Sequence, residues 1–275
     1  MSRNHKSNCL NHPANHRLKA ERVADSSWVI PRRWLNAVYG LFLLPIAWLL
    51  SQTFFNAFSR ATTQHGLWKS DEFWFFSLGA VLWVLWFFGS IWSLGQPRPL
   101  RPYVFGHELT HAIWVWMWGG RVSEFQGWSR EGGYIVTDTH NFWIALAPYF
   151  YPLYSLVVII IYGVARLFFD VESSTATFLL ITPLQWFFLL LGATWSFHLS
   201  FTFWMIPKGQ SDLRYHGTFF SLVVIYLMNI ALLALFLIVA APEITFKSFA
   251  RELLRNTENL SAFLWLHFAP ASFKA

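Results

Sequence analysis

Residues 103–118 read Tyr103-Val104-Phe105-Gly106-His107-Glu108-Leu109-Thr110-His111-Ala112-Ile113-Trp114-Val115-Trp116-Met117-Trp118. This is an apolar run with three ionisable side chains confined to its middle. On a helix His107 and His111 stand one turn apart on the same face, with Glu108 beside them. Two neutral imidazoles at that spacing suit a single metal ion, zinc above all, and an adjacent glutamate suits proton transfer. Ten histidines in 275 residues make a chance His-Glu-x-x-His about a one-in-a-hundred event. Ionisable groups in a membrane segment also cost roughly 2.5–3.5 kcal/mol each on insertion scales, so three in one turn require a compensating role. The expectation is that His107 and His111 are metal ligands. Zinc would lower the pKa of a bound water to about 7, and Glu108 would take that water's proton and return it to a leaving group.

Lipid is the expected surroundings of this run. Hydrophobic residues make up 55% of the chain and charged residues 12%, and the mean hydropathy is +0.40, which excludes an ordinary soluble domain. Apolar stretches at 34–55, 73–94, 103–119, 142–168, 177–206 and 217–241 approach or exceed the ~20 residues needed to cross ~30 Å of hydrocarbon. The predicted fold is an all-α polytopic membrane protein with about six transmembrane helices. A small β-hairpin is expected after the His-Glu-x-x-His helix, where Gly119-Gly120 stops the helix. Arg121–Phe125 and Gly133–Thr137 there have strand character around a polar turn.

The net charge of +6 is explained by topology, not by nucleic acid, because the cations cluster outside the apolar segments. Arg3, Lys6, Arg17, Lys19, Arg22, Arg32 and Arg33 precede the first stretch, which predicts a cytoplasmic amino terminus. Six crossings would put the carboxyl-terminal cations Lys247, Arg251 and Arg255 on that same side. The division expected is a basic disordered tail over 1–33, a membrane-embedded metalloprotease-like domain over 34–241 and an amphipathic interfacial segment over 242–275. The tail lacks a small-residue cleavage site, so the first stretch is expected to be a retained anchor. The absence of organelle signals points to the cell (inner) membrane. Cys9 is the only cysteine, which excludes an internal disulfide and a cysteine-based zinc site.

A catalytic zinc site needs a third protein ligand. Downstream candidates are Glu124, Glu131, Asp138, His140, Asp170, Glu172, His198, Asp212 and His216, most of them expected to be solvated loop charges. Asp212 stands out in Gly209-Gln210-Ser211-Asp212-Leu213, between two apolar segments. Its competing role is to cap the next helix. His198, inside an apolar run, is the rival ligand, unless it hydrogen-bonds across helices. Parity complicates Asp212: if segments three, four and five all cross, His107 and Asp212 finish on opposite faces. Either a segment is re-entrant, or the site lies deep enough for both ends to meet, or His198 is the ligand.

The chain at this point resembles the site-2 protease family of intramembrane zinc metalloproteases. The resemblance is carried by Phe105-Gly106-His107-Glu108-Leu109-Thr110-His111-Ala112, the Gly-Gly stop, Gly132-Gly133-Tyr134-Ile135-Val136, the Pro-bearing Asn141–Pro152 stretch and the later Asp212. The family's Asn-Pro…Leu-Asp-Gly distal signature is replaced by Gln210-Ser211-Asp212-Leu213. The resemblance implies hydrolysis of peptide bonds in or near transmembrane segments of membrane-protein substrates. It also implies Zn2+ held by His107, His111 and Asp212, with Glu108 as the catalytic group. Two alternatives stay open: a gluzincin-type membrane metalloprotease taking Glu124 or Glu131 as third ligand, and a non-catalytic membrane scaffold that retains the fold.

Overall fold

A computed structural model describes residues 32–64, 66–129, 132–171, 177–241 and 243–268. The basic tail with Cys9, the candidates Glu131 and Glu172, and Pro242 lie outside them. The described chain is mostly helical. Its helices are α1 (Arg32–Thr63), α2 (Asp71–Leu94), α3 (Leu100–Met117), α4 (Phe142–Leu146), α5 (Leu153–Phe168), α6 (Pro183–Met205), α7 (Ser211–Tyr215), α8 (Thr218–Ala240) and α9 (Phe246–Phe268). The expected hairpin is present. Strand β1 (Val122–Gln126) pairs antiparallel with β2 (Tyr134–Thr137), and a register irregularity falls between Val122 and Glu124.

Local sequence explains the helix ends. Ser70 accepts a hydrogen bond from the Phe73 amide while Asp71 and Glu72 fill the first turn of α2, and Gly95 closes that helix in the left-handed conformation. Thr182 and Gln185 form a capping box on α6, with Pro183 at its first turn. Gly119, at φ 73, ends the turn that follows α3.

Four helices, α1, α2, α6 and α8, are long and apolar enough to cross a membrane. A fifth crossing is available if Phe142–Tyr149 and Leu153–Phe168, bent by 77°, make one broken span. Against the six crossings expected from hydropathy, the described residues thus offer four or five candidate spans. The third apolar stretch drops out because α3 carries Arg101, His107, Glu108 and His111 within 18 residues and falls short of the apolarity of a spanning helix.

Two parallel helix pairs frame the bundle. Near the starts of α1 and α8, the Asn36 amide donates to the His216 carbonyl (2.7 Å). Near their ends, Ala57 and Ala61 pack with Ala234, Leu237 and Ala241. Helices α2 and α6 meet at two glycines: a Cβ at Gly79 would strike the Leu189 carbonyl, and one at Gly192 the Phe76 carbonyl. Such contact needs small residues. Further along, the Trp83 indole donates to Ser200 (2.9 Å) and Phe87 packs edge-on to Phe201. Helix α5 runs antiparallel to α6, with Ser155 donating to Thr194 and Tyr162 stacked on Phe187.

These directions place the starts of α1 and α8 and the ends of α2 and α6 at one end of the bundle, the proximal end. The broken span and α8 both finish at the other, distal end. Counting the broken span, five passes separate the start of α1 from the end of α8. This departs from the even number of crossings that would put both cationic flanks on one side. Helix α3, which starts at the proximal end, is not among the helices long and apolar enough to cross. Helix α9 forms where an amphipathic helix was expected, but it begins at the distal end. There Glu252 pairs with Arg60 (2.6 Å), which holds the Glu252 carboxyl below the usual range, and Asn256 donates to buried Thr53 (2.9 Å).

Single cysteines at Lys69 and Lys208, in a Cys9→Ser background, should label from opposite sides of the membrane with an impermeant thiol reagent. Labelling from one side would refute the parallel-pair frame.

Candidate metal centre

The two histidines occupy one face of α3, as the i, i+4 spacing requires, with their ring centroids 4.9 Å apart. The residue brought to them lies 105 positions later. Asp212 Oδ2 stands 3.4 Å from His107 Nε2 and 3.6 Å from His111 Nε2. His107, His111 and Asp212 together could hold a metal ion, all three candidate ligand atoms lying within 4.8 Å of one another. Two ligand atoms bound to one tetrahedral ion at about 2.1 Å are separated by roughly 3.4 Å, so the spacing fits a small divalent cation.

Asp212 reaches this position because α7 is a single short turn of helix folded in between α6 and α8. Gly209 takes the left-handed conformation that ends the preceding turn, Leu213 is fully buried, and Ser221 on α8 donates to the Leu213 carbonyl (3.1 Å). Capping is not the role of Asp212: it lies inside the first turn of α7, and no side chain caps that helix. Its carboxylate faces the imidazoles and accepts from the Tyr149 hydroxyl at Oδ2 (3.2 Å) and from Ser211 at Oδ1 (3.4 Å).

The orientation of His111 is set from behind. Its Nδ1 lies 2.8 Å from the Ile144 carbonyl, an acceptor only, so Nδ1 carries the proton and Nε2 presents its lone pair toward Asp212. His107 Nδ1 has the Tyr103 hydroxyl at a longer 3.4 Å. Glu108 points to a different neighbour. It is 8% exposed, and Gly133, at the base of β2, packs on it so closely that an added Cβ would sit 2.5 Å from Glu108 Cγ and 2.6 Å from the Gln126 carbonyl. The hairpin therefore roofs the glutamate.

The remaining candidates are elsewhere. His198 is buried in α6 and takes no part in the three-residue group, which among the described residues contains Asp212 instead. Glu124 lies exposed on β1. Asp138 closes the hairpin, accepting from the Arg121 amide (2.7 Å) and the Thr139 hydroxyl (2.9 Å), bonds that hold its carboxyl below the usual range. His140 packs near Tyr215 and His216 near Phe142, while Asp170 follows α5 at the distal end. Sequence reasoning missed Tyr103, Tyr149, Gly133 and the Ile144 carbonyl. Tyr103 alone had a local signal, one helical turn before His107.

No protein-family model, curated protein or solved structure matches this chain.

Metal analysis of protein purified in detergent should find about one divalent ion per chain in the wild type, and His107→Ala, His111→Ala and Asp212→Ala should each bring it close to zero. Wild-type metal content in Asp212→Ala would remove that residue from the ligand set.

Proposed function

We propose that this chain is a zinc-dependent intramembrane metalloprotease of the site-2 protease type. Its substrates would be peptide bonds in or beside transmembrane segments of membrane proteins. One observation carries the proposal: a His-Glu-x-x-His helix meets an aspartate 105 residues away at 3.4 and 3.6 Å, inside a bundle of apolar helices. The ligand types favour zinc over calcium or magnesium, which prefer oxygen throughout.

His107, His111 and Asp212 would hold the ion. Bound zinc supplies a water acidic enough to ionise near neutral pH and a positive charge for the scissile carbonyl. Glu108, outside the ligand set and enclosed by the hairpin, is the proton carrier: it accepts the water's proton and delivers it to the leaving amine. A substrate helix must unwind before its peptide bonds become accessible. An edge of the β1–β2 hairpin would hold the unwound stretch extended through backbone hydrogen bonds. The site belongs to the proximal end, where the cation-rich start of α1 also lies, so the proposal places it toward the cytoplasm. The gluzincin alternative loses Glu124, which is exposed on β1 and outside the three-residue group.

Glu108→Gln should keep its metal while neo-termini of membrane proteins, mapped by amino-terminal peptide sequencing of native membranes, fall to the level of a deletion. Neo-termini unchanged by this substitution would favour the scaffold alternative. Gly133→Ala should also retain metal and lower cleavage by about tenfold or more, since the new methyl displaces either Glu108 or the hairpin. Wild-type cleavage by that variant would mean that the roof over Glu108 is not needed for turnover.

A further inference from the structure

The Tyr149 carbonyl accepts from the Asn229 amide of α8 (3.0 Å). Helix α8 thus grips this carbonyl. That carbonyl lies in the break between α4 and α5. The same residue's hydroxyl donates to Asp212 Oδ2, the carboxylate oxygen that stands closest to both imidazoles. Tyr149 is fully buried, and its ring lies edge-on to His107 with centroids 5.4 Å apart.

The other end of the break serves a second ligand. Asn141 caps α4 by accepting from the Ile144 amide (2.8 Å), and the carbonyl of that same Ile144 is the partner of His111 Nδ1. The residue whose amide would take this carbonyl in a continuous helix is Pro148, which has no N–H to donate. The carbonyl is therefore free for His111, and the bend that follows turns Tyr149 toward Asp212.

The geometry points to the broken span 142–168 as the device that orients two of the three metal ligands, with Tyr149 the positioning residue of Asp212 and Asn229 the latch that holds Tyr149. This rests on the metal-site assignment proposed above. A carboxylate on a one-turn helix is free to rotate about its own bonds, and a fixed hydroxyl donor restricts it to the orientation that binds. Loss of such outer partners ordinarily lowers metal affinity by about 10–100-fold. Tyr149→Phe removes only the hydroxyl and keeps the ring packing, while Asn229→Gln keeps an N–H donor where Asn229→Ala has none.

Titration of purified, metal-stripped protein with Co2+ measures both affinity and ligand geometry through the visible d–d bands. Tyr149→Phe is expected to bind Co2+ about 10–100-fold more weakly than wild type, with altered bands, while the metal-free protein keeps its wild-type melting temperature. Asn229→Ala is expected to lose about tenfold, and Asn229→Gln to recover most of it. Wild-type affinity and bands in Tyr149→Phe would overturn the inference while leaving the metal site standing. So would equal losses in Asn229→Ala and Asn229→Gln, or losses that follow melting temperature. No Co2+ binding by the wild type, or binding that persists in His107→Ala, would overturn the metal site itself and this inference with it.

Discussion

Asp212 Oδ2 lies 3.4 Å from one imidazole nitrogen and 3.6 Å from another, and the same carboxylate accepts from the Tyr149 and Ser211 hydroxyls. A carboxylate so placed is costly unless partnered, and the departures from simple helix-crossing in this chain converge on supplying partners. Helix α3 is not among the helices long and apolar enough to cross and carries the histidines. The span after the hairpin is bent by 77° and delivers Tyr149. The connection from α6 to α8 folds inward as α7 and delivers Asp212. All three irregular pieces meet toward the proximal end, while α1, α2, α6 and α8 remain uninterrupted helices.

The regular helices supply rigidity that the irregular ones lack. Helices α2 and α6 approach until Gly79 and Gly192 each touch a facing carbonyl, so neither can slide without a backbone clash. Helices α1 and α8 are joined through small residues near the distal end and through Asn36 near the proximal one. Both pairs are parallel, which requires long-range connections between the partners. The span between α2 and α6 contains α3, the hairpin and the broken span. The frame is thus closed around the segment that carries His107, His111 and Glu108, and α7 enters from the connection between α6 and α8.

Much of this was legible in the sequence. The histidine pair and its glutamate were visible from spacing alone, the hairpin from a Gly-Gly stop followed by two short β-type runs, and the uninterrupted helices from hydropathy. Three things were not. Hydropathy counts apolar residues but not direction, so α3 was taken as a crossing and the number of passes came out even. The choice between Asp212 and His198 depended on which face of α6 and which turn of α7 met α3, a matter of tertiary packing. Tyr149 looked like one aromatic among 55 Phe, Trp and Tyr residues, and its role appears only where its hydroxyl and its carbonyl find different partners. The parity conflict between His107 and Asp212 was nevertheless a true signal. Once α3 is not counted as a crossing, the conflict disappears.

Breaks in membrane helices free backbone groups that lipid cannot satisfy, and the way this chain satisfies them links the fold to the site. The carbonyl of Ile144 is taken by His111, that of Tyr149 by Asn229, that of Leu213 by Ser221, and that of His216 by Asn36. Each acceptor lies in or beside one of the irregular pieces, and each donor is a side chain on another element. The dependence runs in both directions: without the breaks, Ile144 and Tyr149 would not be presented to the ligands, and without those side chains the breaks would leave unpaired carbonyls in an apolar interior. Glu108 is outside this network. It faces the hairpin through Gly133, so in the proposed reaction the proton carrier is set by an element independent of the one that fixes the ligands. That separation lets a change in the hairpin alter turnover while the metal site stays intact.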